Sequence, residues 1–408
     1  MNPVDDQGKS INWLTIEPHV TSSGNLAEWF REETGVTINI TPVAYGNITD
    51  AAREDIQSGK CEFDIIQYWY PMLGHLVENG FLLDLSDWWD HHHESIDPAD
   101  LIPVFRDGWC LASGRRYGIP FDGDMHLLFY NKPIFSRNGL TPPTTWDEYL
   151  HTAKIITEAE KQNHVFGCGI MACDIPLILI GTFLNRAAGY GGSFFNENGQ
   201  PEIDSPENIS ALQALMEQLP YALPEPKTVG FDEMLGPWIE GRVGMVEFWA
   251  DLGKISDNSQ GLIKENWGVV PLPQGPAPKG RMAAPLNAGW SLGISSRSHQ
   301  TSLALEFLKF CLRPDTMLKI CASDGGPDPV RWSIYEMKDF KESVTEELAT
   351  AAKSAIQSAA LPWPTLPLWP QYQRVLHENL FRAVSGRVSP EEALKETQIA
   401  WMEIHKHA

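Results

Sequence analysis

The sequence predicts an α/β protein whose sheets carry parallel strands with helices packed on both faces. Three observations lead there. Strand-like and helix-like segments alternate from Ile11 to Gln67 in a β-loop-α-β-α-β rhythm. From Arg116 two more strand-like segments are followed by helix-like ones and a further strand. The chain, at 408 residues, is long enough for one large domain or two ordinary ones.

Taken in order, Ile11 to Ile16 reads as a strand and Glu17 to Ser23 as a loop. A helix follows from about Gly24 to Thr34, with Leu26, Ala27 and Phe30 at helical spacing and Gly35 as its stop. Val36, Ile38 and Ile40 alternate as a strand does. A helix from about Asp50 leads to the apolar strand Phe63 to Gln67. Ligands of such sheets bind beyond the carboxyl ends of the strands. Glu17, Pro18 and His19, then Tyr68, Trp69 and Tyr70, fall there.

Arg116 to Phe121 and Leu127 to Asn131 read as strands on either side of Asp122-Gly123-Asp124. Thr145-Trp146-Asp147-Glu148 is a capping box opening a helix. Further helices are expected from Ser205, over Phe231 to Glu240, over Ser302 to Leu312, and from Ser389-Pro390 onward. Val243 to Trp249 and Asn266 to Pro273 read as extended, and Gln274 to Gly280 as a loop. Leu361 to Pro370, rich in Pro and Trp, cannot be regular helix.

Composition narrows the function. With 43% hydrophobic and 21% charged residues the chain is not a disordered one. The balance of 31 basic and 53 acidic side chains gives −22, which repels phosphate backbones and anionic headgroups. The longest apolar run, Ile175 to Leu184, is about half of the roughly 20 residues a spanning helix needs. Met1 to Ser10 is polar, which fits a cytoplasmic chain or one whose signal peptide has been removed. Six cysteines include two near pairs, Cys168 with Cys173 and Cys311 with Cys321. Either disulfides or buried thiols fit them. The spacing suits no zinc site, and no metal or cofactor is expected. Fifteen tryptophans suggest that some line a site, since flat rings are what sugar faces stack on.

Several segments stand out together: Phe63-Asp64-Ile65-Ile66 with Leu76 to Leu85, Tyr117 to Phe121 with Leu128 to Lys132, and Gly139-Leu140 with Pro142 to Glu148. Gly191 to Phe195, Gly241 to Met245, Gly289 to Ser295 and Glu306 to Phe310 follow. In this order they resemble the extracellular solute-binding proteins (family 1) of ABC importers, the group that includes maltose-, polyol- and other sugar-binding proteins. The resemblance implies a two-lobed periplasmic binding protein fold, each lobe a mixed, mostly parallel sheet flanked by helices, joined by a hinge. The implied lobes are 1–121 with 272–313, and 122–271 with 314–408. Closure on a sugar, oligosaccharide or polyol and delivery to ABC permease subunits are implied with it, without catalysis. The implied place is the periplasm, or the extracellular face of the cell membrane as a lipoprotein, after removal of a signal peptide. A monomer without nucleic-acid partners is expected.

Sugar hydroxyls call for ionised acceptors, fixed donors and aromatic platforms. Asp124 stands first, at a position where the family commonly has a hydroxyl-binding carboxylate, with Asp122 as its alternative. Trp249 and Asp251 resemble a sugar-contacting loop. Asn287 and Trp290 precede an apolar strand, Trp290 as a stacking platform. Arg331 resembles a position where a basic or polar side chain reaches the cleft. Glu17, His19, Tyr45 and Tyr68 are rim candidates, whereas Met171, Cys173 and Asn185 read as packing residues. Competing readings are a cationic solute such as an amino sugar or polyamine, and a glycosidase using two of Asp122, Asp124, Glu247 and Asp251. Gly289-Trp290-Ser291-Leu292-Gly293 matches a hydrolase nucleophile elbow, but the residues after Ser291 read as strand where that motif needs a helix. His91-His92-His93 reads as a solvated turn.

Overall fold

The computed structural model describes residues 10–275, 289–357 and 363–407. Its main strands are β1 (Ser10–Ile16), β2 (Thr37–Val43), β3 (Ile65–Trp69), β4 (Ile119–Asp122), β5 (His126–Asn131), β6 (Phe166–Gly169), β7 (Val243–Trp249), β8 (Trp267–Val270) and β9 (Trp290–Ile294). The chain divides into two compact units. Unit 1 is Met1–Asp124, Ala288–Thr345 and Thr365–Trp369, and unit 2 is Met125–Asn287, Glu346–Pro364 and Pro370–Ala408.

Unit 1 carries a sheet of order β2-β1-β3-β9-β4. β1 pairs in parallel with both β2 and β3, while β9 runs antiparallel to β3 and β4. The carboxyl ends of β1, β3 and β4 therefore meet the amino end of β9 at one edge. Trp13, Phe30, Phe121 and Phe307 pack the core beneath, with Trp13 and Phe307 ring centres 5.4 Å apart. Burying a side chain such as Phe307 contributes roughly 1.5–3 kcal/mol.

Unit 2 carries β8-β5-β7-β6, parallel only between β6 and β7. Here the carboxyl ends of β6, β7 and β8 lie at the edge where β5 begins. Both sheets are thus more evenly mixed than expected, because β9 and β5 each follow a passage from the other unit and run against their neighbours. The capping box at Thr145 is formed, and Thr145 and Glu148 cap each other's backbone N–H groups at the start of Trp146–Ala159.

The expected boundaries shift. Residues 314–345 pack in unit 1, where Arg313 bonds Glu33 at 2.7 Å and Lys319 covers the Trp29 ring at 3.7 Å. Residues 272–275 belong to unit 2, since Gln274 exchanges backbone bonds with Thr144 and Trp146. The expected loop Glu17 to Ser23 is a short turn, Glu17–His19, running straight into the helix Val20–Thr34. Ser22 and Ser23 are buried, and the Ser22 hydroxyl donates to the His19 carbonyl, so polar composition disguised the helix start. The strand at 63–67 runs later, to Trp69. Most of the loop at Gln274 to Gly280 lies outside the described residues.

Candidate functional site

At the unit 1 edge a chain of buried polar groups begins in β1. The Thr15 hydroxyl lies 3.1 Å from that of Ser23 and donates to Gln67 Oε1 at 2.6 Å. The backbone N–H of Ile16 donates to the same Oε1 at 3.3 Å. A backbone N–H can only donate, so the Gln67 amide is fixed with its oxygen towards Ile16. Its Nε2 then faces His19 Nδ1 at 2.6 Å, and that ring nitrogen must accept. The proton of the neutral imidazole therefore sits on Nε2, which lies 3.2 Å from Asp122 Oδ2. The other oxygen of Asp122 accepts from the Asp328 backbone at 2.8 Å.

Two glycines make this edge possible. A Cβ on Gly123 would stand 2.5 Å from the Pro329 carbonyl, so only glycine lets the 327–330 loop lie against the end of β4. Gly289, at φ +132, would drive a Cβ into the Trp109 ring. Next to it, the backbone of Trp290 pairs with Trp69 on one side and Asp122 on the other. The Trp290 ring stands edge-to-face with His19 at 6.1 Å. The structure thus brings together His19, Asp122 and Trp290. Asp124 follows at the same edge, partly exposed. Glu17 is exposed one turn away, and Tyr45 is partly exposed in the turn after β2.

Two expected site residues are placed elsewhere. Tyr68 is buried inside unit 1, its hydroxyl donating to the Trp109 carbonyl at 3.1 Å, because β3 continues past it. Arg331 is wholly buried and does not reach an open edge. It donates to the carbonyls of Leu312, Ile96 and Asp97 and to Asp100, stitching the 328–333 segment to the helix Thr301–Leu312. Asn287 lies outside the described residues. Ser291 is fully buried within β9, with no helix behind it, so the hydrolase-like motif is a strand. His91 and His92 turn back onto the carbonyls of Asp87 and Trp88, and no metal-holding cluster of His, Cys, Asp and Glu occurs among the described residues. Cys168, Cys173 and Cys311 are thiols, so neither near pair is bridged.

The unit 2 edge is built from His126 at the start of β5 and Trp249 at the end of β7, directly paired in register. Their rings stand perpendicular, 4.4 Å apart. Asp251 follows, opening the helix Leu252–Asn258. Behind them Arg186 makes a two-pronged ion pair with Glu247, at 2.6 and 2.9 Å, and also bonds Gln218 and the Thr182 carbonyl. Its guanidinium covers the Trp146 ring at 4.4 Å. Asn185 Nδ2 bridges Glu247 Oε2 at 2.8 Å and His126 Nδ1 at 2.9 Å. Burial, with Arg186 nearby, pushes the His126 imidazole down to about 3.

Sequence reasoning passed over Gln67 and His126 and read Asn185 as a packing residue. The signal was present: Gln67 interrupts an apolar strand, and Asn185-Arg186 interrupts the apolar helix Pro176–Tyr190. Polar side chains at core positions imply hydrogen-bonded networks.

The model of the bacterial extracellular solute-binding protein family matches residues 21–318. The chain belongs to that family. These are non-enzymatic solute-binding proteins of ABC transporters, which hold small molecules outside the cytoplasm and work with permease subunits. Among the relatives is a probable amino-acid ABC transporter periplasmic-binding protein of Sinorhizobium fredii, 22% identical, aligned over 90% of this chain and 83% of its own. A mannitol-binding protein of Pseudomonas aeruginosa is 27% identical over 51% of this chain and 47% of its own. Solved structures agree on the two-lobed fold. A solute-binding protein of Agrobacterium radiobacter in complex with ribitol has TM-score 0.87 at 20% identity, covering 98% of this chain and 99% of that one. Maltose-bound MalE3 of T. maritima has TM-score 0.87 at 22% identity, covering 97% and 100%.

Proposed function

We propose that this solute-binding protein captures a sugar, an oligosaccharide or a polyol and presents it to the permease of an ABC importer. The observation that carries this reading is the shared composition of the two strand edges. Each sets a neutral histidine against an indole, with a carboxylate next in sequence or in space: His19, Trp290 and Asp122 in unit 1, His126, Trp249 and Asp251 in unit 2. Indoles offer flat apolar faces to C–H surfaces, and carboxylates accept from hydroxyls. Asp124, Glu17 and Tyr45 are the further contacts we assign. The names of relatives support the solute class: mannitol-binding, erythritol/L-threitol-binding and arabinooligosaccharide-binding proteins.

Capture by hinge motion between lobes belongs to the same proposal. So do a monomeric state, action as a free periplasmic or lipid-anchored protein, and the absence of nucleic-acid partners, which the charge of −22 favours. A second reading is a cationic solute such as an amino sugar, a polyamine or a basic amino acid; the name of the amino-acid transporter relative lends it support.

The test is a thermal-shift screen of polyols, mono-, di- and oligosaccharides, sugar acids, amino acids, glucosamine and spermidine. A true solute at 100 times its dissociation constant stabilises by about 2.7 kcal/mol. A neutral hydroxylated hit whose affinity ignores salt supports the proposal. A hit confined to charged amines, weakened by salt, replaces it with the second reading.

A further inference from the structure

The network behind Trp249 fixes more than stability. Arg186 and Glu247 form a two-pronged ion pair. An ionised carboxylate only accepts, so the Asn185 amide must turn its NH2 towards Glu247 Oε2. The same NH2 faces His126 Nδ1. Flipping the amide would set its oxygen against the carboxylate, so the orientation is imposed by an ion pair two bonds away. His126 Nδ1 must therefore accept, and the ring carries its proton on Nε2. A second proton, on Nδ1, would point at the Asn185 NH2. Unit 1 repeats the device, with Gln67 fixing His19 through the Ile16 N–H.

We propose that Asn185 is a positioning residue: it locks His126 in the uncharged Nε2–H form, and His126 in turn holds the Trp249 indole. The ring lies 4.4 Å from the indole at 86°, while Phe231 and Phe248 flank the indole at 5.6 and 5.4 Å. The charged groups behind the histidine are Arg186 on the helix Pro176–Tyr190 and Glu247 on β7. Burial and the Arg186 charge oppose protonation of the ring, in agreement with the hydrogen-bond logic. The functional value of this lock rests on Trp249 meeting the solute, as proposed above; the lock itself does not.

The experiment uses the full chain labelled with 15N-histidine and 15N-tryptophan, free of any solute. His126→Gln and Trp249→Phe assign the two resonances. In the wild type His126 is expected to show the Nε2–H pattern and no titration from pH 5 to 8. Asn185→Asp replaces the donor by an acceptor, so the ring should gain a proton on Nδ1 and begin to titrate within that window. Asn185→Leu removes the donor without adding charge, and the Trp249 indole resonance should move. A wild-type His126 that is Nδ1-protonated, or that titrates near pH 6, overturns the proposal. An indole resonance unmoved in folded Asn185→Leu overturns the positioning role. If Asn185→Asp does not fold, the wild-type spectra and Asn185→Leu still decide. Failure of every sugar in the screen would remove the solute reading and leave these outcomes intact.

Discussion

His19 Nε2 stands 3.2 Å from Asp122 Oδ2, and the amide of Gln67 on the far side of the ring dictates that the imidazole is the donor. Asp122 is thereby held by two donors, His19 and the Asp328 backbone N–H. Asp122→Asn would turn an NH2 towards one of them. Because a buried donor left unsatisfied costs about 1–3 kcal/mol, the urea midpoint should fall by that equivalent. An unchanged midpoint would mean that Asp122 is not the clamp described here.

Asp124 is the contrasting case. It is partly exposed, two residues beyond β4. Asp124→Asn should leave the melting temperature within a few degrees and weaken solute binding about tenfold, near the 1.5–3 kcal/mol of a charge-assisted hydrogen bond. Calorimetric titration of Asp124→Asn beside the wild type with the same solute checks this.

What the sequence revealed follows from which physics is local. Alternation exposed β2, and the Thr145 box is complete within four residues, so both were legible. The family motifs span the chain, which is why the binding role was readable too. Arg331 was misjudged because its acceptors, Leu312 and Ile96, are 19 and 235 residues away. The partners of Asn185 are hidden from sequence in the same way: Glu247 and His126 lie 62 and 59 residues from it. Between Arg313 and Val384 the helices Pro314–Cys321, Glu346–Gln357 and Trp369–Val384 went unassigned. Each of the three is clearly amphipathic, so a helical signal was present there in the sequence.

Arg331 gives a stability test with no direct binding component. Its guanidinium is wholly buried and answers three backbone carbonyls and Asp100. Arg331→Ala removes all of these donors, strips three carbonyls of their partner and leaves the Asp100 carboxylate bonded to Ser333 alone. Breaking a buried pair in this way costs about 3–5 kcal/mol. Arg331→Lys recovers only part, since one ammonium cannot span the fork. Denaturant melts should rank wild type above Arg331→Lys and Arg331→Lys above Arg331→Ala; equal midpoints would refute the clamp.

The thiols make a chemical prediction. Burial pushes Cys110 and Cys173 up to about 11 and Cys168 up to about 12, so almost no thiolate exists at pH 8. Cys61, partly exposed in the turn before β3, is the thiol open to reagents. Native protein should release one equivalent of thionitrobenzoate from Ellman's reagent quickly and the rest only in denaturant. Dithiothreitol should leave the melting temperature where it is, and a drop of several degrees would reveal a disulfide.

Acid stability should carry the mark of Glu160. Its carboxylate accepts from Arg137 at 2.5 and 2.9 Å, from Asn138 and from Asn163, and the Arg137 bond leads in holding it down to about 2, against 4.5 for the free group. Folding therefore releases a proton from Glu160 whenever the unfolded chain would keep it. The sign follows: the stabilisation is fully present above about 4.5 and is lost as pH falls through the folded value near 2. Glu160→Gln keeps the shape but cannot ionise. Its stability deficit relative to wild type should be constant from pH 8 to 5, shrink from pH 4.5 downward and vanish near pH 2. A deficit that stays constant across that range would show that Arg137 and Glu160 do not meet in the folded chain.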